Sequence, residues 1–211
     1  MMYIIYPMRH SREDKIRSHE RIVEVAARRI RESGTEAPSV AEIMETAGMT
    51  HGGFYKHFGS RDELVAEAAE RACADGSHRL SELTDGAENP LEALVATYLS
   101  AEHRDDPGTG CAVAALSGDA ARTGNPARGA LTRQVVRYVD RLQGQLHHTR
   151  ADGDSRDQAI TAMSTLVGAL MISRSVDDPA LADEVLRAAR IELTAPPEGA
   201  QPQPPGRSPI Q

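Results

Sequence analysis

The stretch from Gly48 to Phe58 holds the residues of this chain that are best suited to binding DNA. Aromatic residues make up only 3% of the sequence, yet Phe54, Tyr55 and Phe58 all fall within this stretch. Ser39 opens a short helix with a capping box, and a glycine-marked turn then leads into a second short helix. This layout is typical of a helix-turn-helix, in which the first helix braces the second and the second presents its N-terminal residues to the major groove.

Polar residues along the second helix could contact DNA directly. Thr50 and His51 lie at its entry, where side chains reach base edges or phosphates. Gly52 has no side chain to hold the backbone away, although each of the two glycines here weakens a helix by about 1 kcal/mol relative to alanine. Their presence favours close approach to a partner over helix stability. The remaining candidates for phosphate contact are Tyr55, Lys56, His57 and, in the first turn of the following helix, Arg61.

Other interpretations compete for the same residues. Phe54 and Phe58 are expected to be core residues rather than DNA contacts, and His57 could be a packing or capping residue. His51 and His57 are six residues apart and do not share a helical face, so we predict no metal site. No glycine-rich phosphate loop follows a strand, and no serine or cysteine nucleophile has an evident partner. We therefore predict neither a cofactor nor an enzymatic activity.

Helix signals dominate the chain, and we predict an all-α fold. Ile16, Val23, Ala26 and Ile30 follow a helical spacing that ends at Gly34. Later helices begin with capping signals at Ser60-Arg61-Asp62-Glu63, Asn89-Pro90, Asn125-Pro126, Ser155-Arg156-Asp157-Gln158 and Asp178-Pro179. No segment shows a sustained alternation of β-branched and polar residues, so no strand is predicted.

The charge of the chain is distributed unevenly. A net charge of −7 argues against a protein that coats nucleic acid indiscriminately. Between Arg9 and Arg31, however, eight basic residues face four acidic ones. Phosphate neutralisation needs only such a local excess, so the segment suits a DNA-binding head. An ordinary solvated helix face explains the same charges equally well.

The ends of the chain and its cysteines indicate a compartment. No run approaches the roughly 18 apolar residues of a membrane-spanning helix, so we predict no membrane association. Residues 1–8 are apolar but too short for a signal peptide. Either they form a disordered extension, or Met8 is the natural start of the protein. Residues 195–211 are rich in Pro, Gly and Gln and predict a disordered tail. Cys73 and Cys111 fit neither a disulfide framework nor a zinc site, which favours a reducing cytoplasm.

The N-terminal third strongly resembles the TetR family of regulators. The resemblance is carried by residues 21–27, 34, 39–43, 47–58 and 60–64, of which the aromatic-rich stretch is highly specific. It implies a flexible extension at 1–10, a three-helix helix-turn-helix domain at 11–59 and a larger helical regulatory and dimerisation domain at 60–194. It also implies that the DNA-contacting positions are Ser39, Thr50, His51, Gly52, Tyr55, His57 and Arg61. Ile30 and Met44 depart from the phenylalanine and alanine that are common in the family, and both are apolar replacements that could repack the head.

The resemblance further implies that the C-terminal domain forms a homodimer and holds a pocket for a small-molecule inducer. A symmetric operator requires two heads about one or two helical turns apart, so dimerisation is expected. The apolar stripes of 160–173 and 179–193, in the last two helices, are adequate for a four-helix dimer interface, although an ordinary core explains any single residue as well. We expect an aliphatic pocket with a tyrosine hydroxyl, and its candidates, most of them expected to be plain core, are Leu94, Tyr98, Leu116, Val135, Tyr138, Met163 and Val167.

Cys111 opens a helix of small residues in a segment, 110–116, that is similar to a motif in one subgroup of the family. A thiol near a helix N-terminus could react with oxidants or electrophiles, but a buried small residue is the simpler explanation. We expect a dimeric regulator that an inducer releases from a palindromic operator, with repressor favoured over activator only by the resemblance. Two alternatives stay open, namely electrophile or redox sensing through Cys111 and an adaptor of the same fold that does not bind DNA.

Overall fold

The structure is a computed structural model that describes residues 12–122, 124–147 and 155–195. All regular elements in these ranges are helical, which confirms the all-α class. The α-helices are α1 (Arg12–Ser33), α2 (Val40–Thr46), α3 (Arg61–Thr84), α4 (Pro90–Tyr98), α5 (Ala101–Asp105), α6 (Ala112–Ala120), α7 (Arg128–His147), α8 (Ser155–Ser175) and α9 (Pro179–Thr194), and two 3₁₀ helices span His51–Lys56 and Pro107–Thr109. The predicted extension at 1–10, the start at Met8 and the tail beyond Ala195 lie outside the described residues. Within these ranges, no helix is both long and apolar enough to cross a membrane.

The head of the molecule consists of α1, α2 and the first 3₁₀ helix. α1 ends at Gly34, whose φ of 85° is a left-handed conformation that favours glycine, and whose N–H donates to the carbonyl of Ile30 at 2.8 Å. Both departures from the usual family residues, Ile30 and Met44, are fully buried, so the head accommodates them in its core. That core is formed mainly by Ile22, Ala26, Ile30, Ile43, Met44, Phe54 and Phe58.

Several helices begin with the predicted capping side chains. Ser39 and Glu42 form a complete capping box, in which the Glu42 N–H donates to the Ser39 hydroxyl at 3.2 Å and the Ser39 N–H donates to the Glu42 carboxylate at 2.8 Å. Asn89 and Asp178 each accept a hydrogen bond from the first turn of α4 and α9, with proline at the first helical position. These local signals fix the starts of three helices.

One predicted capping box and one predicted helix start differ in the structure. Ser60 caps α3, but the Glu63 carboxylate accepts from the N–H of Gly59 rather than from Ser60, so the second capping box is incomplete. α7 begins at Arg128 and not directly after Asn125. The reason is that the Asn125 side chain accepts from the N–H two residues later, at 2.9 Å, and forms a turn ahead of the helix.

The long helix α3 connects the head to the rest of the molecule. It packs against α1 of the head and, farther along, against α4 and α7 of the rest of the molecule. Helices α7, α8 and α9 then pack in succession, while α6 contacts α1, α3, α7 and α8. We call α3 to α9 the regulatory part, and α6 is the element of it that touches both α1 and α8.

Three residues that were predicted on apolar stripes lie at the surface. Ile16 is exposed because the buried face of α1 begins only at Ile22, and the ring of His19 covers the end of the core in between. Ile160 and Leu181 are exposed on α8 and α9. The apolar stripe of α1 therefore begins at the surface, and only its part from Ile22 onward lines the core.

Candidate DNA-binding surface and inner cavity

The recognition segment, defined as residues 50–57, is a tight helical turn held on the head by its apolar side. Its hydrogen bonds run from the Gly53 N–H to the Thr50 carbonyl at 2.9 Å and from the His57 N–H to the Phe54 carbonyl at 2.8 Å. This is the 3₁₀ pattern, and the two adjacent glycines, which are poor α-helix formers, account for it. Phe54 is only 2% exposed, whereas the next residue, Tyr55, is 73% exposed.

Aromatic rings from α1 and the head core form a stack beneath the recognition segment. The ring centroids of Phe54 and Phe58 are 5.5 Å apart, and the imidazole of His19 stacks on Phe58 at 4.6 Å. His19 Nε2 also lies 2.7 Å from the carboxylate of Glu67 on α3, which ties the stack to the long helix. His19 was missing from the predicted site because its partners are far away in the sequence.

Most of the predicted DNA-binding residues are exposed and adjacent to one another. Ser39 is exposed too, but its hydroxyl belongs to the capping box of α2. His57 is half-buried, and its Nδ1 makes no hydrogen bond within the described ranges. Burial, with the charges of nearby His19, Lys15 and Lys56, lowers the pKa of His57, so its imidazole is neutral at pH 7. The exposed residues of the recognition segment are Thr50, His51, Gly52, Tyr55 and Lys56.

Arg61 makes its contacts within the protein. Its Nη2 donates to the carbonyl of Thr35 at 2.5 Å and, more weakly, to that of Pro38 at 3.4 Å. Nη1 lies 3.8 Å from the carboxylate of Glu36. The side chain therefore holds the loop between α1 and α2 against the start of α3, and these contacts compete with a role in binding DNA.

The regulatory part holds a half-open cavity of about 360 Å³, which we call the inner cavity. Its walls come from α3, α4, α5, α7 and the second 3₁₀ helix, and they include Gly76, Arg79, Tyr98, His103, Cys111 and Tyr138. A smaller apolar cleft of about 20 Å³ shares Leu80, Tyr98 and Tyr138 with the cavity. The two spaces therefore adjoin each other at the two tyrosines.

The structure brings five of the seven predicted pocket residues to these spaces. Tyr98 and Tyr138 line both the cavity and the cleft. Leu116 is fully buried in the core, and Val135 packs against the core. Neither residue lines the cavity or the cleft. The three other residues line only the cleft, and they are Leu94, Met163 and Val167.

The two cysteines have different surroundings. Cys111 lines the inner cavity at the N-cap of α6, with its Sγ 4.0 Å from the Tyr138 hydroxyl and its N–H donating to His103 Nε2 at 2.9 Å. Cys73 is fully buried in the core, and this burial raises the pKa of its thiol to about 11. Only Cys111 is therefore placed where a molecule in the cavity could meet it.

Two family models match this chain. Residues 22–68 match the model for bacterial regulatory proteins of the tetR family, and residues 86–189 match that for the tetracyclin repressor-like C-terminal domain. The chain belongs to the TetR family. Its head is accordingly a helix-turn-helix DNA-binding domain, and the family and fold are those of transcriptional regulators.

Relatives of this TetR-family chain include both characterised and uncharacterised regulators. An uncharacterized HTH-type transcriptional regulator of Mycobacterium tuberculosis is 31% identical over 183 residues, which cover 83% of this chain and 94% of that protein. The HTH-type transcriptional repressor KstR2 of the same species is 32% identical over 79 residues, or 37% of this chain and 40% of KstR2. A TetR-family regulator from Cytophaga hutchinsonii has the same fold, with a TM-score of 0.73 at 18% identity over 85% of this chain and 94% of that one.

A buried arginine ties the head of this TetR-family chain to a wall of the cavity. Arg31, on α1, donates from Nε to the carbonyl of Gly108 at 2.7 Å and from Nη1 to that of Ala72 at 3.2 Å. Gly108 belongs to the second 3₁₀ helix, and the two residues after it, Thr109 and Gly110, line the cavity. From the sequence, Arg31 was interpreted only as one of the eight basic residues between Arg9 and Arg31.

A second contact joins the head to the far end of α6. The Thr35 N–H donates to the carboxylate of Asp119 at 2.6 Å, and Asn125 donates from Nδ2 to the Thr35 hydroxyl at 3.0 Å. Asp119 lies in the last turn of α6, whose first turn follows the cavity residue Cys111. One short helix thus runs from the cavity to the loop after α1.

Proposed function

We propose that this chain is a repressor that binds a palindromic operator as a homodimer and is released from it by a small-molecule inducer. The observation that carries the proposal is the exposed recognition segment on a rigid aromatic support. The similarity of the chain to KstR2, a transcriptional repressor, supports repression rather than activation. In this proposal the chain acts in the cytoplasm, needs no cofactor and catalyses no reaction.

The recognition segment has the character of a surface that meets DNA closely. A Cβ atom at Gly52 would meet no atom of the chain within 4 Å, so the fold itself does not require glycine there. A backbone that approaches DNA does benefit from the missing side chain. Thr50 takes the N-cap position without using its hydroxyl for capping, which leaves that group for a base edge or a phosphate. In this arrangement Tyr55, Lys56 and His57 face phosphates.

Tyr55→Ala is expected to weaken DNA binding about ten- to a hundredfold without unfolding the head. The side chain is 73% exposed and its ring packs edge-on against that of Phe54, with the centroids 5.2 Å apart, so its loss should cost at most about 1.5 kcal/mol of unfolding free energy. A lost contact to DNA costs about 1–3 kcal/mol. Fluorescence anisotropy on the duplex that the wild-type protein selects measures the effect, and Tyr55→Phe separates the hydroxyl from the ring. Unchanged affinity in Tyr55→Ala would remove this segment from the interface.

The outer faces of α8 and α9 suit a dimer interface. Ile160 and Ile172 on α8 are exposed, as are Leu181 and Ile191 on α9. One turn before Ile172 on α8, a Cβ atom at Gly168 would meet open space. Because α8 packs on α9, two copies of this surface could form a four-helix interface with close backbone approach.

Ile172→Glu is expected to raise the dissociation constant of the dimer at least tenfold. The substitution places an unpaired carboxylate in the interface twice, once from each protomer, and burial of such a charge is costly. Sedimentation equilibrium measures the change. Val136→Glu is the matched control, since Val136 is a similarly exposed apolar residue on α7. If both variants sediment as the wild-type dimer does, the interface lies elsewhere.

Release from DNA requires the inducer to distinguish two states of the dimer. An inducer shifts the equilibrium only as far as its affinities for the DNA-bound and the free conformation differ. The contacts of Arg31 and Thr35 give the cavity two connections to the head. A ligand that binds free and DNA-bound protein equally well contradicts this part of the proposal.

A second candidate function is electrophile sensing through Cys111, and the position of this thiol on the cavity wall favours it. Alkylation would fill the cavity covalently in the place of a reversible inducer. Treatment with iodoacetamide would then release DNA from the wild type and from Cys73→Ser, but not from Cys111→Ser. Equal release in both variants excludes Cys111. The third possibility, an adaptor of the same fold, predicts only weak and sequence-indifferent DNA binding.

A further inference from the structure

We propose that the inner cavity binds an uncharged, largely apolar molecule through a hydrogen-bond acceptor, such as a ketone or ether oxygen, held by the hydroxyl of Tyr98. The role of this ligand as an inducer rests on the proposed function, whereas its binding to the cavity does not. Four features carry the inference, namely an unused buried donor, a second hydroxyl beside it, an excess of carboxylates over cations among the lining residues, and the adjoining apolar cleft.

Tyr98 holds the unused donor. Its side chain is 8% exposed and lines both the cavity and the cleft. Among the described residues its hydroxyl has no hydrogen-bonding partner at ordinary distance, and it interacts only with the thiol of Cys111, a weak acceptor. Burial raises the pKa of Tyr98 well above its usual value, so the group stays protonated as a donor. Buried hydroxyl groups normally have a partner, and an acceptor atom of a ligand would supply one.

Tyr138 brings a second hydroxyl to the junction of the cavity and the cleft. Its hydroxyl lies 4.0 Å from the Cys111 thiol and also interacts with Gln134, and as a hydroxyl group it can both donate and accept. Room for this hydroxyl is made by Gly76, in the interior of α3, where a Cβ atom would lie 3.3 Å from it. Glycine weakens a helix interior, and the space beside Tyr138 explains its presence at this position.

His103 contributes neither charge nor a free nitrogen to the cavity. Its Nε2 accepts from the N–H of Cys111 at 2.9 Å, and its Nδ1 lies 2.7 Å from the carbonyl of Tyr98. Nδ1 must therefore carry the proton, which makes the ring neutral. Burial lowers the pKa of His103 and favours the same state.

The charges around the cavity disfavour an anion. The lining includes the carboxylates of Glu102 and Asp106 and one arginine, Arg79, which donates to Thr109 at 3.0 Å. Arg174 lies behind the wall, donating to the backbone carbonyls of His103 and Arg104, and does not line the cavity. The lining thus carries two carboxylates against one arginine, and this net negative charge disfavours an anionic ligand.

The adjoining cleft has an apolar lining suited to the body of the ligand, although at about 20 Å³ it must widen to admit it. Its walls include Leu94, Met163, Leu166 and Val167, and it shares the two tyrosines with the cavity. Methionine is a flexible side chain that repacks easily, so the cleft can widen around a bound group. A molecule with an acceptor at one end and an apolar body would place its acceptor at the tyrosines and its body in the cleft.

The test uses sets of three compounds that share a skeleton and differ in one group. In the first set these are 4-phenylcyclohexanone, phenylcyclohexane and 4-phenylcyclohexanecarboxylate, and further sets use larger ring systems. Calorimetry on the DNA-free dimer should show that, in at least one set, the ketone binds about tenfold more tightly than its hydrocarbon and its carboxylate. A carboxylate that binds most tightly, or the lack of any preference for a ketone in every set, overturns the inference.

Tyr98→Phe is the decisive variant, since it removes only the hydroxyl. It should lower the affinity for the ketone about tenfold, leave that for the hydrocarbon unchanged and not lower the melting temperature, because the hydroxyl is unpartnered in the free protein. An unchanged affinity for the ketone contradicts the inference. DNA binding is measured separately. A ketone that binds through Tyr98 without weakening DNA binding leaves the ligand class intact and refutes its role as inducer.

Discussion

Phe54→Ala is expected to lower the free energy of unfolding by about 3–5 kcal/mol and to abolish sequence-specific DNA binding. The ring of Phe54 is 2% exposed and packs on that of Phe58, with the centroids 5.5 Å apart. Removal of the ring opens a cavity under the recognition segment, which has few hydrogen bonds of its own to keep its shape. Urea denaturation followed by circular dichroism measures the loss.

The adjacent residue is the control for Phe54. Tyr55→Ala removes a ring of similar size from the same turn, but that ring is exposed and only its edge-on contact with Phe54 is lost, so DNA binding should change far more than stability. A Phe54→Ala variant that is as stable as the wild type would show that the recognition segment does not depend on the aromatic stack. A loss of stability in Tyr55→Ala as large as that in Phe54→Ala would place its ring in the core instead of on the DNA-binding surface.

Arg31→Ala is expected to cost about 2–4 kcal/mol of stability, the second-largest effect. The side chain is 7% exposed, and its loss leaves the Gly108 carbonyl without a donor. The ion pair with Asp75, at 3.7 Å, is lost as well, although Arg71 still pairs with that carboxylate. Thermal and urea denaturation measure the change.

Arg29 provides the matched control for Arg31. It lies on the same helix and is exposed, and its 3.5 Å contact with Glu32 is a surface ion pair of little energy. Arg29→Ala should therefore change stability by less than about 0.5 kcal/mol. Equal stability of Arg31→Ala and the wild type would mean that the hydrogen bonds of Arg31 to the cavity wall do not contribute to the stability of the fold. In a dimer that still folds, Arg31→Lys should also weaken the effect of an inducer on DNA affinity.

The sequence predicted well those helix ends that depend on residues close together in the chain. The capping box at Ser39, the capped prolines at α4 and α9 and the glycine stop after α1 depend on neighbours within four residues. The prediction failed at α7, because the Asn125 side chain is engaged both by its own turn and by Thr35, which is distant in the sequence. A capping motif alone does not show such a competitor.

The candidate site divides in the same way. The exposed recognition segment was predicted from the run of aromatic and polar residues, and the burial of Phe54 and Phe58 confirms the expected division of labour. The contacts of His19, Arg31 and Arg61 were not predicted, since each joins parts of the chain that only the tertiary structure brings together. Neither periodicity nor composition distinguishes a buried arginine such as Arg31 from the surface arginines beside it.

Selection from a pool of random duplex DNA at near-physiological salt, with sequencing of the bound fraction, tests the central claim most directly. We expect the wild-type protein to recover a short palindrome, and we expect Tyr55→Ala and His57→Ala to enrich it weakly or not at all. The symmetry of the recovered site would report a dimer with two recognition segments in successive major grooves. Recovery of no enriched motif by the folded wild-type dimer would contradict the account and favour an adaptor that acts through protein contacts.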